Sequence, residues 1–170
     1  MDYEALEDAI VTKLTADLVV DGNIIIEALP DADLENIPAT NKPRLTVAYH
    51  HSIFCEGRYG DSLPTISTGP SIQDENIRMS VEIEARSKRG TLGVYDLIFK
   101  VRQSILGYQP LNIEKLKLVE VRFVKHVNNN FIYSVTFGTK SIAIEDVLAS
   151  TDPLLKKVSL TEEYLNPYSE

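Results

Sequence analysis

The sequence predicts an α+β fold: a four- to five-stranded, mostly antiparallel sheet with two helices packed on one face. Three observations carry that reading. Ile77, Met79, Val81, Ile83 and Ala85 alternate with Asn76, Arg78, Ser80, Glu82, Glu84 and Arg86, the period-2 mark of a half-buried strand. After Ser87-Lys88-Arg89-Gly90 the apolar spacing turns helical through Val94, Ile98, Val101 and Ile105, broadened by Leu92, Tyr95, Leu97 and Leu106. Thr91 stands where an N-cap belongs, and Gly107 where a C-cap glycine does. Finally, two apolar runs flank Asn128-Asn129-Asn130, a hairpin turn built from residues that tolerate positive φ.

The remaining elements follow in chain order. Leu6, Ile10, Leu14 and Leu18, joined by Ala9, Val11 and Asp17, mark an amphipathic helix from Asp2 to Leu18. Its first turns are acidic, as the helix dipole favours. Asp21-Gly22-Asn23 ends it, and the isoleucines in Asn23–Leu29 read as a short strand or the start of a loop. Pro30–Pro43 is a connector. In the strand Arg44–Phe54, alternation places Leu45, Val47, Tyr49, His51 and Ile53 on one face, with apolar groups on the other as well. Cys55–Glu75 reads as a loop, longer than ordinary connections. In Lys115–Val127 the apolar phase slips after Leu118; a bulge there would keep Leu116 and Leu118 on the buried side with Val119, Val121 and Phe123. Phe131, Tyr133, Val135 and Phe137 return as a strand, and periodicity is lost past Asp146. The expected organisation is one domain over 1–146, a long loop at 55–76 and a C-terminal tail at 147–170.

Composition narrows the classes of function. At 170 residues, one domain buries about 70% of its unfolded surface. A net charge of −8 repels phosphate backbones on average and disfavours generic nucleic-acid binding. Cys55 is the only cysteine, which rules out an internal disulfide and fits a reducing compartment. The acidic start Met1–Asp8 lacks the pattern of a signal peptide, and no apolar run approaches the ~20 residues that span a bilayer. A soluble protein made in the cytoplasm is expected, with no membrane partner.

The residues that carry chemistry are scattered. His51 and Cys55 share a strand face four residues apart, with His50 beside them and His126 distant, but the paired close spacings of a zinc site are missing. Asp74, Glu82 and Glu84 outline a Mg²⁺-dependent nuclease, in which Arg86 would stand where a lysine assists the attacking water. Arginine does not give up its proton, and a solvated sheet face explains the same alternation. There is no Gly-x-Ser-x-Gly elbow, Gly-x-Gly-x-x-Gly turn or phosphate-binding lysine loop. Cys55 reads as a small hydrophobe rather than a nucleophile. Lys88-Arg89 reads as a solvated corner, although it precedes a helix N-terminus that can bind an anion. No cofactor is implied. Large residues gather instead in the loop (Tyr59, Leu63, Ile66, Ile72) and the tail (Leu154, Leu155, Val158, Leu160, Tyr164, Tyr168). Such clusters often mark binding surfaces, which assigns interface roles to Arg58, Tyr59, Ile72, Leu154, Leu155 and Tyr164.

The order of elements and several local runs resemble the tail terminator (tail completion) proteins of long-tailed bacteriophages, closest to the contractile-tailed branch. The runs are Pro43-Arg44-Leu45-Thr46-Val47, Arg78-Met79-Ser80-Val81-Glu82-Ile83, Gly93-Val94-Tyr95-Asp96-Leu97 and Gly107-Tyr108-Gln109-Pro110-Leu111, with the first helix and the closing hairpin. The resemblance covers Asp2–Asp146 and leaves the tail outside. It implies a non-enzymatic structural virion protein that forms a homohexameric ring on the last ring of the tail tube. Such a ring stops polymerisation and offers a platform to neck and head-completion proteins. In contractile tails it also meets the sheath. It implies residence at the tail–neck junction after assembly in the host cytoplasm, with DNA passing the lumen without specific binding. Two other classes stay open on the residues alone: the nuclease of Asp74, Glu82 and Glu84, and a monomeric peptide-binding adaptor.

Overall fold

A computed structural model describes residues 2–18, 23–30, 41–55 and 72–144. The described elements are α1 (Tyr3–Leu18), β1 (Ile25–Ala28), β2 (Arg44–Cys55), β3 (Ile72–Ala85), α2 (Val94–Ile105), β4 (Lys117–Val127) and β5 (Asn130–Ile144). The five strands form one sheet in the order β1-β2-β3-β5-β4. Only β1 and β2 run parallel; every other pair is antiparallel. Both helices lie on one face, α1 over β1 and β2, α2 over β3 and β5. The predicted fold class is the observed one.

β3 sits at the centre, where its alternation is fully used. Ile77, Met79, Val81 and Ile83 are almost wholly buried beneath the helices, beside Leu45 and Val47 of β2 and Val135 and Phe137 of β5. Above them lie Leu6, Ile10 and Leu14 of α1, and Val94, Leu97, Val101 and Ile105 of α2. The helices are also tied to each other: Ser104 Oγ of α2 donates to Asp17 of α1 at 2.6 Å, and Lys13, one turn back on α1, pairs with the same carboxylate at 3.0 Å. These contacts, the Ser104 hydroxyl first, hold the Asp17 carboxyl below its usual range.

The ends of the elements refine the expected ones. Asp2 caps α1, its Oδ1 accepting from Ala5 N–H at 3.0 Å. Thr91 does not cap α2. The helix starts two residues later than the Thr91 cap implies, with Gly93 as an extended N-cap that lacks a side-chain bond. Asp96 instead accepts from Leu92 N–H at 3.0 Å, and its carboxyl is lowered, first by Lys100. The turn fills the space a capping side chain would need: a Cβ on Gly93 would lie 2.7 Å from the Arg89 carbonyl oxygen. Gly107, at φ +81°, ends α2 as expected. The hairpin turn is Asn128-Asn129, at φ +50° and +62°, the backbone of a type I′ turn. Asn130 begins β5 and donates to Glu84 Oε1 at 2.6 Å.

Strand β2 departs from simple alternation. A bulge between Tyr49 and His51 leaves Leu45, Val47 and Tyr49 facing the helices but turns His51 and Ile53 to the opposite face. Beyond the last β1 pair, the Tyr49 N–H donates to Glu7 of α1. β3 starts at Ile72, so Asp74, Glu75 and Asn76 pair with β2 and β5 within the stretch read as loop. Glu75 is 1% exposed, and its carboxylate accepts from the Tyr3 hydroxyl, whose ring stacks on Tyr49 at 4.2 Å.

Two predictions test this packing. Leu97→Ala, at a fully buried position, is expected to cost about 2–5 kcal/mol in urea unfolding. Phe99→Ala on the same helix is 57% exposed and is expected to cost no more than about 0.5 kcal/mol. The second concerns pH. The bond to Glu75 pushes the Tyr3 phenol from 10.0 up to about 12. A group with a raised folded pKa stabilises fully below its unfolded pKa and loses that contribution as pH rises through the folded one. Urea midpoints of the wild type should therefore fall between pH 10 and pH 12. Tyr3→Phe should be less stable at neutral pH and flatter across that interval.

Candidate interface

Two helices do not cover five strands. α2 reaches β5, and β4 lies beyond it at the sheet edge, exposed along almost its whole length. Two bulges shape this strand, between Leu118 and Glu120 and between Phe123 and Lys125. The first brings Leu118, Val121 and Phe123 to the helix-side face, as the phase slip predicts. It does not bury them all: Val121 is 40% and Phe123 49% exposed. Val119, the bulge residue, goes to the other face, against the position of a missing Cβ on Gly138. Val119, Val124 and Val127 are also exposed. β4 thus presents apolar groups on both faces, with Lys117, Arg122 and Lys125 interspersed.

On the helix side the exposed apolar surface extends onto α2. Tyr95, Phe99 and Leu106 fall on one stripe, set off from the buried face of that helix. Tyr95 meets Tyr133 edge-on at 6.1 Å, and Tyr133 meets Phe123 at 5.2 Å, so the stripe continues through aromatic contacts to β4. A hydrogen bond with Tyr95 raises the Tyr133 phenol above its ordinary range. The Lys88 ammonium lies 4.6 Å from the Phe131 ring centroid and 5.9 Å from that of Phe123. Lys88 therefore sits over aromatic rings, where the sequence suggested a solvated corner. His126 stacks on Phe131 at 4.3 Å.

The residues considered for chemistry do not converge. His51 and Cys55 share the face turned away from the helices, while His126 is three strands away on the helix side. Among the described residues no three His, Cys, Asp or Glu side chains come together as metal ligands do. Asp74, Glu82 and Glu84 share a strand face, but Asp74 lies eight residues from Glu82, about 27 Å along an extended strand. Glu84 is already bonded to Asn130.

Of the interface residues expected from sequence, Arg58, Tyr59, Leu154, Leu155 and Tyr164 lie outside the described residues. Ile72 opens β3, its backbone paired with Ile144. Sequence reasoning missed Phe99 as a surface residue and read Tyr95, Leu106, Val121 and Phe123 as core. The available signals were the placement of Tyr95, Phe99 and Leu106 off the main helical stripe and the apolar residues on both parities of β4.

The fold and this surface together define a class: an α+β domain with an uncovered, apolar sheet edge. The chain belongs to the Gp37 protein family, whose match spans residues 22–163. That span takes in most of the tail, which the sequence resemblance had left outside. No curated protein matches the chain. Among solved structures, the fold is similar to that of a chain in the virion of a native gene transfer agent particle. The TM-score is 0.51 at 13% identity, covering 83% of this chain and 97% of that one. A sheath/tube terminator from an extracellular contractile injection system (PVC), in its extended state, aligns at TM-score 0.45 and 14% identity, covering 96% of this chain and 66% of that one. Among the described residues no helix is long and apolar enough to cross a membrane.

Replacing Phe99 and Phe123 together by serine is expected to leave the protein folded at a cost of about 1–2 kcal/mol in urea unfolding, most of it from the lost Phe123–Tyr133 contact. The same variant should bind markedly less of a hydrophobic surface dye than Leu106→Ser. Equal dye binding would place the accessible apolar surface elsewhere.

Proposed function

We propose that this protein is a tail terminator: a structural virion protein that assembles on the end of a tail tube, stops its polymerisation and presents a platform to the neck. One observation carries the reading. The chain shares its fold, over 83% of its own length and 97% of the other chain, with a component of an assembled virion. The uncovered β4 edge and the α2 stripe supply the kind of surface such a subunit needs, and membership of the Gp37 family agrees with the reading.

The finer picture is a homohexameric ring. Closing a ring takes heterologous contacts, in which one surface of a subunit meets a different surface of the next. The tube protein would lie below the ring, with sheath and neck or head-completion proteins around and above it. DNA would cross the lumen without specific binding, helped by the acidic balance of the chain. Arg58, Tyr59, Ile72, Leu154, Leu155 and Tyr164 are assigned to contacts with neighbours or tube. No catalytic step is assigned to any residue. A monomeric adaptor is the second reading, favoured by the same open strand, since an exposed edge also accepts a partner peptide.

Adding the purified protein to polymerising tail-tube subunits should narrow the length distribution of the tubes and leave this protein at one end. Mass measurement on the capped tubes should return several copies per end. Tubes that grow on regardless of added protein would refute termination. One copy per tube end would favour the adaptor.

A further inference from the structure

The edge of β4 differs from the other exposed apolar sites on the sheet. Ile53 and Ile142 are exposed too, but both lie near the points where the chain leaves the described residues. β4 lies wholly within described structure, paired with β5 along its inner edge and closed by the Asn128-Asn129 turn at its end. Among the described residues nothing pairs with its outer edge. Because Val121 and Phe123 face one way and Val119 the other, a partner lying flat against one face would leave the rest wet. A strand added at the edge sets side chains beside both faces at once.

The chain itself holds a segment suited to that place. After Ile144 there remain 26 residues, 145–170, and 154–166 form a run of 13 without proline or glycine, between Pro153 and Pro167. That run is long enough to lie along the 11 residues of β4. Within it Val158, Leu160 and Tyr164 share one parity, which would place them on one face of an added strand. Charge can match locally as well. The run 154–166 is neutral overall, with Lys156 and Lys157 against Glu162 and Glu163, but its acidic pair can meet Arg122 and Lys125 of β4, which carries Lys117, Arg122 and Lys125 against Glu120. The nine residues 145–153 extend to about 30 Å, enough to reach beyond the subunit's own sheet end. The family match runs to residue 163 and so includes most of this segment.

We propose that the C-terminal segment 154–166 of one copy pairs as an added strand with the outer edge of β4 in the next copy. This rests on the ring reading above, and gives the ring its contact. Donor segment and acceptor edge are different surfaces, so the contact is heterologous by construction and can repeat around a closed ring.

Cysteine cross-linking tests it. In a Cys55→Ser background, one batch of full-length protein carries Val124→Cys. A second batch, made distinguishable by a mass label, carries one cysteine at a time through 156–164. The batches are mixed with tail-tube protein and oxidised. The expected result is a dimer of labelled and unlabelled copies, strongest at alternate tail positions. Arg122→Glu with Lys125→Glu should lower its yield about tenfold, and adding Glu162→Lys with Glu163→Lys should restore it. A third batch carries Val124→Cys and the tail cysteine in one chain. If that batch gives only internal cross-links, the segment folds back on its own edge and the proposal is overturned. No mixed dimer above the level given by the Val124→Cys batch alone would overturn it too. Tube capping is scored in the same samples: capped tubes without tail-to-β4 cross-links refute this contact alone. Cross-linked copies on uncapped tubes refute termination alone.

Discussion

The packing of Leu97, Val101 and Ile105 against the inner face of β3 and β5 fixes how far the core extends. α1 fills the other half of the same face, and the hydrogen bond from Ser104 of α2 to Asp17 of α1 helps hold the two helices side by side. Two helices at ordinary spacing of 8–10 Å cover about four strands, each spaced ~4.8 Å from the next. A fifth strand must therefore lie outside the cover. This geometry, more than any single residue, makes β4 the exposed edge and turns its valines and phenylalanine into surface.

The chain manages that edge as well as displaying it. Two bulges in 11 residues twist β4 and break its ladder. Lys117, Arg122 and Lys125 stand among the apolar groups, as charges do on edges that must not pair at random. Bulges and charges together favour a partner whose own sequence fits their spacing. The side of the sheet turned away from the helices is different in kind. Small residues such as Ser80 and Ser134 form its floor, and Arg78 lies across β5 where Gly138 has no side chain.

How much of this could be read from the sequence depends on whether neighbouring residues decide a feature or distant ones do. The alternation of Ile77–Ala85, the stripe Val94–Val101–Ile105, the cap at Gly107 and the Asn-Asn turn are local and were legible. The slip after Leu118 also announced its bulge. The bulge at His50 was not legible, because it depends on where β1 ends and on Glu7 meeting the Tyr49 N–H. Thr91 looked like a cap because nothing local reveals that Gly93 must pass close to the Arg89 carbonyl. The candidate interface was the least legible part. An apolar residue on a strand reads as core unless one knows that the helices stop one strand short. Phe99 and Phe123 are exposed for that reason alone.

The Asn128-Asn129 turn has a consequence in time. β4 and β5 are joined by two residues, so their pairing is the most local in the sheet and should close within about 1–10 μs of the chain being free to move. β3 meets β5 only by closing a span from Ala85 to Phe131 at its nearer end and from Ile72 to Ile144 at its farther end, a slower search. The newborn chain thus forms its exposed edge strand before it owns a core. The lysines and bulges on β4 must guard that edge against random pairing through the interval.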